Sequence, residues 1–223
     1  MISDLVLPHS AANGAAADTS VAAHWTCDPA TIDRAQQYKL MTGVVLPRPI
    51  ALVTTCGPQG VNAAPFSFFN VLGVEPPMVM FSIGMRGHTE KDTLANLRHC
   101  GEMVIHIVDA AHAEQMNGCG GNFPMGVNEL ALVGLPTVAA TKVVPPRIPV
   151  CPVQLECIVD RIVPVGSVPY HVVFAEVVLM HFRHGLVDER MRVDIDRLDA
   201  IGRMVGPGVY TNTRERFTLP PVE

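Results

Sequence analysis

Charged residues are scarce in this chain of 223 residues: they make up 17% of it, against about a quarter of an average soluble protein. Basic residues are the fewer, with 16 Lys and Arg against 21 Asp and Glu, and no basic block or stripe occurs. Proteins that bind nucleic acid need Lys and Arg to neutralise its phosphates. The composition therefore argues against a nucleic-acid partner.

The low charge accompanies a high apolar content, because hydrophobic residues make up 48% of the chain. A chain of this length buries roughly 70% of the surface that its unfolded form exposes, so it has room for a core of its own. The remaining apolar surface is most simply explained by a large interface between subunits. We therefore expect an oligomer.

Long hydrophobic runs are also missing. The longest apolar stretch, residues 171–182, is interrupted by Glu176 and is shorter than the roughly 20 residues that a helix needs to cross a bilayer. Residues 1–23 contain no Lys or Arg, which a secretory signal requires. We therefore expect a cytoplasmic protein without a membrane span, with an N-terminal arm over residues 1–27 and a single domain over residues 28–223.

Spaced metal ligands are absent too. The six cysteines form no C-x-x-C pair, which excludes zinc-finger and thioredoxin-type spacings, and the nine histidines show neither H-x-x-x-H nor H-E-x-x-H. Cys100 and Cys157 stand among apolar neighbours and are interpreted as small buried hydrophobic residues. No metal site is predicted.

What is present are short runs rich in β-branched residues. These runs predict strands at residues 50–56, 61–70, 78–83, 103–108, 153–163 and 171–182. Residues 57–60 form a Gly- and Pro-containing turn that predicts a hairpin between the first two strands. Residues 78–83 are almost wholly apolar, as in a strand buried on both faces. Residues 47–49, with two prolines, should be extended.

Few helices are predicted. Asp28 followed by Pro29 indicates a helix start, with a short helix over residues 32–37. Thr89 and Asp92 have the spacing of a capping box before a helix that ends at Gly101, and a further helix is expected over residues 110–117. Many strands with few helices predict a mainly β fold, a β-barrel with helical decorations. A dinucleotide-binding βαβ fold is disfavoured because no G-x-G-x-x-G is present.

Three segments carry polar groups in unusual places. Residues 62–70 combine two alanines and a proline within a strand, which indicates either a kinked edge strand or a surface against which a flat ring lies; the pattern alone favours the edge strand. Residues 81–93 lead a glycine-containing strand end into a helix N-terminus. Backbone amides there, with Ser82, Arg86, Lys91 and Thr93, could hold a phosphate, and an ordinary capped helix explains the pattern equally well.

The third segment is the start of the last apolar strand, where His171 follows Pro169 and Tyr170. A lone histidine at a strand start is more often a surface or capping residue than a catalyst, and its near-neutral pKa decides nothing by itself.

Three strings in this order resemble the flavin reductase-like family, which includes flavoredoxins and the reductase components of two-component monooxygenases. They are RPIALVTT at residues 48–55, APFSFF at 64–69 and KDTLAN at 91–96. The resemblance covers residues 38–182 and continues more weakly through 210–220. It implies an FMN-binding split β-barrel of the antiparallel Greek-key type, working as a homodimer with the flavin near the subunit interface.

The resemblance further implies NAD(P)H as cosubstrate, hydride transfer to the flavin, and supply of reduced flavin to a partner monooxygenase. FMN is the expected flavin, with FAD as the alternative. An electron carrier of the flavoredoxin type and an FMN-binding module without turnover remain alternative functions. The sequence does not distinguish NADH from NADPH, because no separate dinucleotide motif exists.

The same resemblance assigns residues by position. His171 falls at the nicotinamide site as the catalytic residue, although the family's Gly-Asp or Gly-Ser before it is replaced by Pro169 and Tyr170. The Gly-rich residues 118–124 would cover the flavin, from the partner subunit. The residues implied in cofactor binding are Thr54, Thr55, Asn62, Ala63, Ala64, Ser67, Phe68, Ser82, Gly84, Arg86, Lys91, Asp92 and Thr93.

Overall fold

The structure, a computed structural model, describes residues 24–222. These form two compact units, of which the first ends at Gln37 and the second begins at Tyr38. Most of the predicted arm, residues 1–23, lies outside the described residues, and the boundary at residue 27 stays a prediction. The first unit contains a 3₁₀ turn at Pro29–Thr31, whose N-cap Asp28 accepts a hydrogen bond from the Ala30 amide at 2.9 Å.

The helix predicted over residues 32–37 is α1, and it runs over Arg34–Val44. The predicted bounds were wrong, and a capping pair sets the start of the helix two residues after the predicted start. The Asp33 side chain accepts from the Gln36 amide at 2.8 Å, and the Gln36 side chain accepts from the Asp33 amide at 3.0 Å. This reciprocal pair starts the helix at Arg34.

Within residues 38–222, the second unit is built on ten antiparallel strands. They are β1 (Arg48–Pro49), β2 (Ala51–Gly57), β3 (Gly60–Phe66), β4 (Phe69–Val74), β5 (Pro77–Ile83), β6 (Glu102–Ile107), β7 (Val153–Val165), β8 (Tyr170–Phe182), β9 (Ile201–Arg203) and β10 (Tyr210–Asn212). Seven of them form a sheet of order β3-β2-β6-β7-β8-β5-β4, and a small sheet has the order β1-β9-β10. The mainly β prediction is confirmed.

The predicted single strand over residues 61–70 is instead two strands with different partners. β3 pairs with β2, whereas β4 pairs with β5, and only Ser67 and Phe68 separate them. Because β3 and β4 occupy opposite edges of the seven-stranded sheet, both edges must approach each other here, which curls the sheet into a barrel. The Phe66 and Phe81 rings, 5.1 Å apart between centroids, pack inside this junction.

Two apolar clusters form the core, on the two faces of β2. Ala51 and Val53 face the barrel interior with Phe81, whereas Ile50 and Leu52 face an outer cluster. This is the alternation of side chains along a strand. β5 alternates in the same way, with its even-numbered residues only partly buried, so the prediction that it is buried on both faces was wrong.

Four short helices decorate the barrel: α2 (Asp92–Cys100), α3 (Ala113–Gly118), α4 (Glu129–Val133) and α5 (Ile195–Leu198). α2 places Leu94 and Leu97 in the barrel core and ends at Gly101, whose φ of 68° is left-handed, as predicted. The helix predicted over residues 110–117 forms as a 3₁₀ turn at Ala110–His112 followed by α3.

The capping box predicted at Thr89 and Asp92 does not form. The Thr89 hydroxyl donates to the Arg86 carbonyl instead, at 2.9 Å, and the N-cap of α2 is Lys91, whose side chain makes no capping hydrogen bond. The first amides of α2 are therefore left without a side-chain cap. These uncapped amides are thus available to a ligand.

None of the helices between residues 24 and 222 is long and apolar enough to cross a membrane. The apolar stretch 171–182 belongs to β8. All six cysteines are free; Cys157 is buried, as expected, whereas Cys100 is only partly buried and its thiol donates to the Cys56 carbonyl.

Candidate flavin and substrate site

The junction between β3 and β4 is the structural centre of the site. Ala64, Ser67 and Phe68 are each partly exposed there, whereas Asn62 and Ala63 are buried. Ser67 and Phe68 lie between the two strands, and the Phe68 carbonyl accepts from the Ser82 amide at 2.9 Å. The predicted ring-binding segment thus splits into an accessible half and a buried half.

The buried half is held by a glutamate that sequence reasoning missed. Glu129, at the start of α4, accepts from the Ala63 amide at 2.9 Å. With the Asn62 amide oriented to satisfy its neighbours, its nitrogen donates to Glu129 at 3.2 Å and its oxygen accepts from the Thr93 hydroxyl at 2.9 Å. Burial raises the pKa of Glu129. Glu129 and Asn62 therefore connect α4, β3 and α2 behind the accessible segment.

Thr54 and Thr55 are also occupied by protein partners. The Thr54 hydroxyl donates to the Pro146 carbonyl at 2.7 Å, and the Thr55 hydroxyl accepts from the Asn96 side chain at 3.1 Å. Both threonines are fully buried. The structure places them beneath the site rather than on its surface.

Two cations stand at the turn from β5 into α2. Arg86 is held by a hydrogen bond of 2.9 Å to the Phe123 carbonyl, and the Lys91 Nζ lies 5.8 Å from the centroid of the Phe66 ring. Among residues 24–222 neither has a carboxylate oxygen within 4.0 Å. Burial, and secondly the charge of Arg86, lowers the pKa of Lys91.

This pair adjoins the uncapped first turn of α2. Free backbone amides and the positive end of the helix dipole favour an anion at such a position. Asp92 is 7% exposed, and its Oδ1 is buried with no hydrogen-bond partner among the described residues. Arg86, Lys91 and the amides of α2 together form a site that fits a phosphate, which we call the α2 cation site.

Gly84 directly follows β5, and His171 lies in the neighbouring strand β8. A Cβ on Gly84 would lie 3.0 Å from the Tyr170 ring, and this ring also packs on Phe68 at 5.8 Å between centroids. Gly84 thus makes room for Tyr170. His171 pairs in register with Ile83, is 6% exposed, and has an Nδ1 atom that is buried without a partner in the described chain.

A second pair of cations, Arg48 and Arg203, also adjoins the β3–β4 junction, next to Ser67. Arg48 is 6% exposed and donates to the carbonyls of Thr42, Val45 and Met204 at 2.6–3.1 Å, and to the Ser67 hydroxyl at 3.4 Å. Burial lowers the pKa of Arg48, and Arg203 lowers it further. No carboxylate oxygen within residues 24–222 lies within 4.0 Å of either guanidinium.

A cavity of about 310 Å³ adjoins Arg203 and Ser67. Its apolar lining comes from Ile50, Pro65, Phe66 and Met116. Its polar lining comes from Tyr38, Ser67, Asn117, Arg203 and Tyr210, with Gly120 between them and no acidic residue. We call it the Arg203 cavity. A Cβ on Gly120 would lie 3.3 Å from Pro65, so part of the predicted covering loop contacts this segment within one chain.

A further cavity of about 310 Å³ lies between the β2–β3 turn and α2. Its lining includes Asn62, Asp92, Asn96 and His99 but neither Lys nor Arg. Because it offers an anion no charged donor, it fits a phosphate less well than the α2 cation site does.

Comparison with known proteins identifies the family of this chain. The model of the flavin reductase like domain matches residues 41–215. The chain belongs to the flavin reductase-like family. An uncharacterized protein of Deinococcus radiodurans is 37% identical over 204 residues, which are 88% of this chain and 89% of that protein.

Solved structures of this family extend the comparison. Nitrilotriacetate monooxygenase component B of Bacillus cereus has a TM-score of 0.85 and 29% identity over 89% of this chain and all of that one. The 2-nitrobenzoate 2-nitroreductase of Pseudomonas fluorescens has a TM-score of 0.81 and 36% identity, over 89% of this chain and 96% of that one. A protein of Shewanella frigidimarina with a split barrel domain, 17% identical over 86% of this chain and 96% of that one, shares the fold at a TM-score of 0.75. The predicted family and the split β-barrel are confirmed.

Proposed function

We propose that this flavin reductase-like protein binds FMN and transfers a hydride to it from NAD(P)H. The observation that carries the proposal is the α2 cation site, whose two cations form no ion pair within 4.0 Å among the described residues and whose uncapped amides lie next to the accessible segment 64–68. FMN matches this arrangement, because it carries a phosphate at one end and a flat ring at the other.

The phosphate is assigned to Arg86, Lys91 and the first amides of α2. Arg86 provides directed N–H donors and Lys91 a compact charge, and hydrogen bonds between ions are about twice as strong as neutral ones. Ser82, Asp92 and Thr93 stay in the proposal as neighbours of the phosphate and ribityl chain. The Thr93 hydroxyl proton points to Asn62 in the satisfied network, so we expect its backbone amide to be the donor.

The ring is assigned to Ala64, Ser67 and Phe68. The small Ala64 lets a planar group approach the backbone, and the Ser67 hydroxyl can bond to its polar edge. Asn62, Ala63, Thr54 and Thr55 support the ring from behind, since their polar groups already have partners in the protein. Gly84 supports it indirectly, because it makes room for Tyr170 beneath Phe68.

When bound, FMN supplies the atom that accepts the hydride, N5, while the protein supplies orientation and the surrounding charge. The anchoring of the phosphate at Lys91 lies away from that atom, so it fixes the ring without blocking access to it. His171 is proposed near the nicotinamide; its burial fits a residue that positions the site better than one that touches the cosubstrate.

A homodimer is part of the proposal. β4 is an edge strand, and its Val71, Leu72 and Val74 are 64%, 46% and 81% exposed. Apolar side chains on an open edge favour association with another surface. Delivery of reduced flavin to a partner monooxygenase is supported by the similarity to a monooxygenase component B.

A second candidate acceptor for the electrons is a nitroaromatic acid bound by the same protein. It is favoured by the likeness to the 2-nitrobenzoate 2-nitroreductase and by Arg203, which lines the Arg203 cavity and has no carboxylate oxygen within 4.0 Å among the described residues. The electron carrier of the flavoredoxin type would accept electrons from a protein instead.

An anaerobic titration of the FMN-loaded protein with NADH and NADPH tests the proposal. We expect the flavin absorbance to bleach with at least one of the two. A yellow protein that bleaches with neither would contradict the reductase and favour the carrier or the module without turnover. A protein without measurable affinity for FMN, FAD or riboflavin would contradict all of these functions.

A further inference from the structure

We propose that the Arg203 cavity is a binding site for a small aromatic carboxylate. The inference rests on the proposed function in one respect, because it places this ligand beside the flavin. The site itself is argued from the charges, hydrogen bonds and size of the cavity.

The first step is the charge balance. Arg48 and Arg203 are register partners, the charge of Arg203 lowers the pKa of Arg48, and no ion pair with a carboxylate offsets this within residues 24–222. Burying a cation is costly unless an anion compensates it. Three backbone carbonyls satisfy the hydrogen bonds of Arg48 but not its charge. An anionic ligand would complete the balance.

The second step is the geometry of Arg203. Its guanidinium lies 4.8 Å from the centroid of the Tyr210 ring, and its Nη2 donates to the Gly206 carbonyl at 2.9 Å. Among the described residues no other acceptor is bonded to this guanidinium. A guanidinium so oriented presents a planar fork, which matches the two oxygens of a carboxylate.

The third step is the hydrogen-bonding capacity of the neutral groups. The Tyr210 hydroxyl donates to the Asn117 side-chain oxygen at 2.7 Å, which leaves the Asn117 amide nitrogen as a donor. The Ser67 hydroxyl accepts from the Nε of Arg48 at 3.4 Å, which leaves its own proton to donate. Ser67, Asn117 and Arg203 can thus each donate to a ligand, which suits one that only accepts.

The last step is size and apolar contact. A volume of about 310 Å³ is at the lower end of the range of about 300–1,000 Å³ for small-molecule sites. In its lining, Tyr38 is 55% exposed and Pro65 is partly exposed, so these two residues offer flat contact for one ring, whereas Ile50, Phe66 and Met116 are nearly fully buried. A single aromatic ring with a carboxylate therefore fits better than a larger or fully polar anion.

The test is calorimetry with benzoate on the FMN-saturated protein, compared with benzamide, which has the same ring without the charge. We expect benzoate to bind at least tenfold more tightly than benzamide. Arg203→Gln should weaken benzoate at least tenfold and leave benzamide unchanged. Arg203→Lys should restore part of the difference, and the exposed Arg190→Gln should behave as the unaltered protein does.

Thermal melting of each variant separates loss of the site from loss of the fold, and Arg203→Lys keeps the test valid if Arg203→Gln unfolds. The phosphates of the dinucleotide are the other source of an anion here. Equal binding of benzoate and benzamide, or an Arg203→Gln variant that raises the KM for NADH tenfold without affecting benzoate, would overturn the inference. Binding of benzoate without binding of FMN would instead overturn the proposed function alone.

Discussion

The α2 cation site and the Arg48–Arg203 pair both adjoin the β3–β4 junction, through Phe66 and Ser67 respectively, and differ in how they are built. The members of the first, Arg86 and Lys91, are five residues apart and are carried by one turn. Arg48 and Arg203 come from β1 and β9, which pair directly in register. Both pairs lack a carboxylate partner among the described residues, so each is suited to an anion. The difference is that the first can be recognised locally, whereas the second requires the fold.

The largest expected effect comes from removing Arg48 from the Arg48–Arg203 pair. Arg48→Met should lower the free energy of unfolding by about 3 kcal/mol, because it removes the donor to one buried and two partly buried carbonyls. Urea unfolding measures this change. Arg190→Gln, on the exposed surface, should stay within about 0.5 kcal/mol of the unaltered protein. A similar small loss for Arg48→Met would show that its buried position contributes little to the fold.

Acid should weaken the fold independently of both cation pairs. Burial lowers the pKa of His106 to about 4, and its ring bonds to the Leu52 carbonyl and the Ile148 amide. The unfolded chain takes up a proton below about pH 6.5, whereas the folded chain does so only near pH 4. This residue should therefore cost about 2 kcal/mol of stability between pH 7 and pH 5.

Urea unfolding at the two pH values, with the His106 proton signals followed by NMR, checks this expectation. A histidine that titrates near pH 6.5 in the folded protein would contradict it. The result also sets the pH range in which ligand affinities at the two cation sites can be compared without interference from unfolding.

Breaking the α2 cation site should affect binding more than chemistry. Lys91→Ala should weaken FMN by roughly 10- to 100-fold, since a charge-assisted bond to a phosphate is worth about 1.5–3 kcal/mol. Hydride transfer in flavin-saturated protein should slow much less. Lys142→Ala removes a lysine charge from an exposed position outside the α2 cation site and serves as the control. Slowed hydride transfer with unchanged FMN affinity would place Lys91 in the chemistry instead.

The smallest effect concerns the residue that touches both regions. Ser67→Ala should weaken FMN and benzoate by only a few fold each, because a neutral hydrogen bond contributes about 0.5–1.5 kcal/mol. Calorimetry with both ligands measures it. A loss confined to one ligand would assign Ser67 to one of the two regions.

Much of the fold could be predicted because its signals are local. The apolar runs of β2, β5, β6, β7 and β8 and the left-handed Gly101 follow from neighbouring residues. The division of residues 61–70 into β3 and β4 could not be predicted in this way, since it depends on which distant strands pair with each half. The capping box failed because the turn around Arg86 engages Thr89.

The residues of the candidate site also divide into those with a local sequence signal and those that depend on long-range contacts. Arg86 and Lys91 could be identified from a glycine-containing strand end before a helix. Glu129, Arg48 and Arg203 could not, because their roles arise from contacts with residues far away in the chain, such as Ala63 with Glu129. Asn62, Thr54 and Thr55 were assigned from resemblance to the flavin surface, and the structure shows the protein partners that occupy their polar groups.

The most direct test of the account compares FMN with riboflavin, which lacks the phosphate, by calorimetry on the same protein. We predict that FMN binds at least tenfold more tightly, that added salt narrows the difference, and that Lys91→Ala reduces it to about threefold or less. Equal affinities for the two flavins in the unaltered protein would contradict the assignment of the phosphate to Arg86, Lys91 and the first turn of α2.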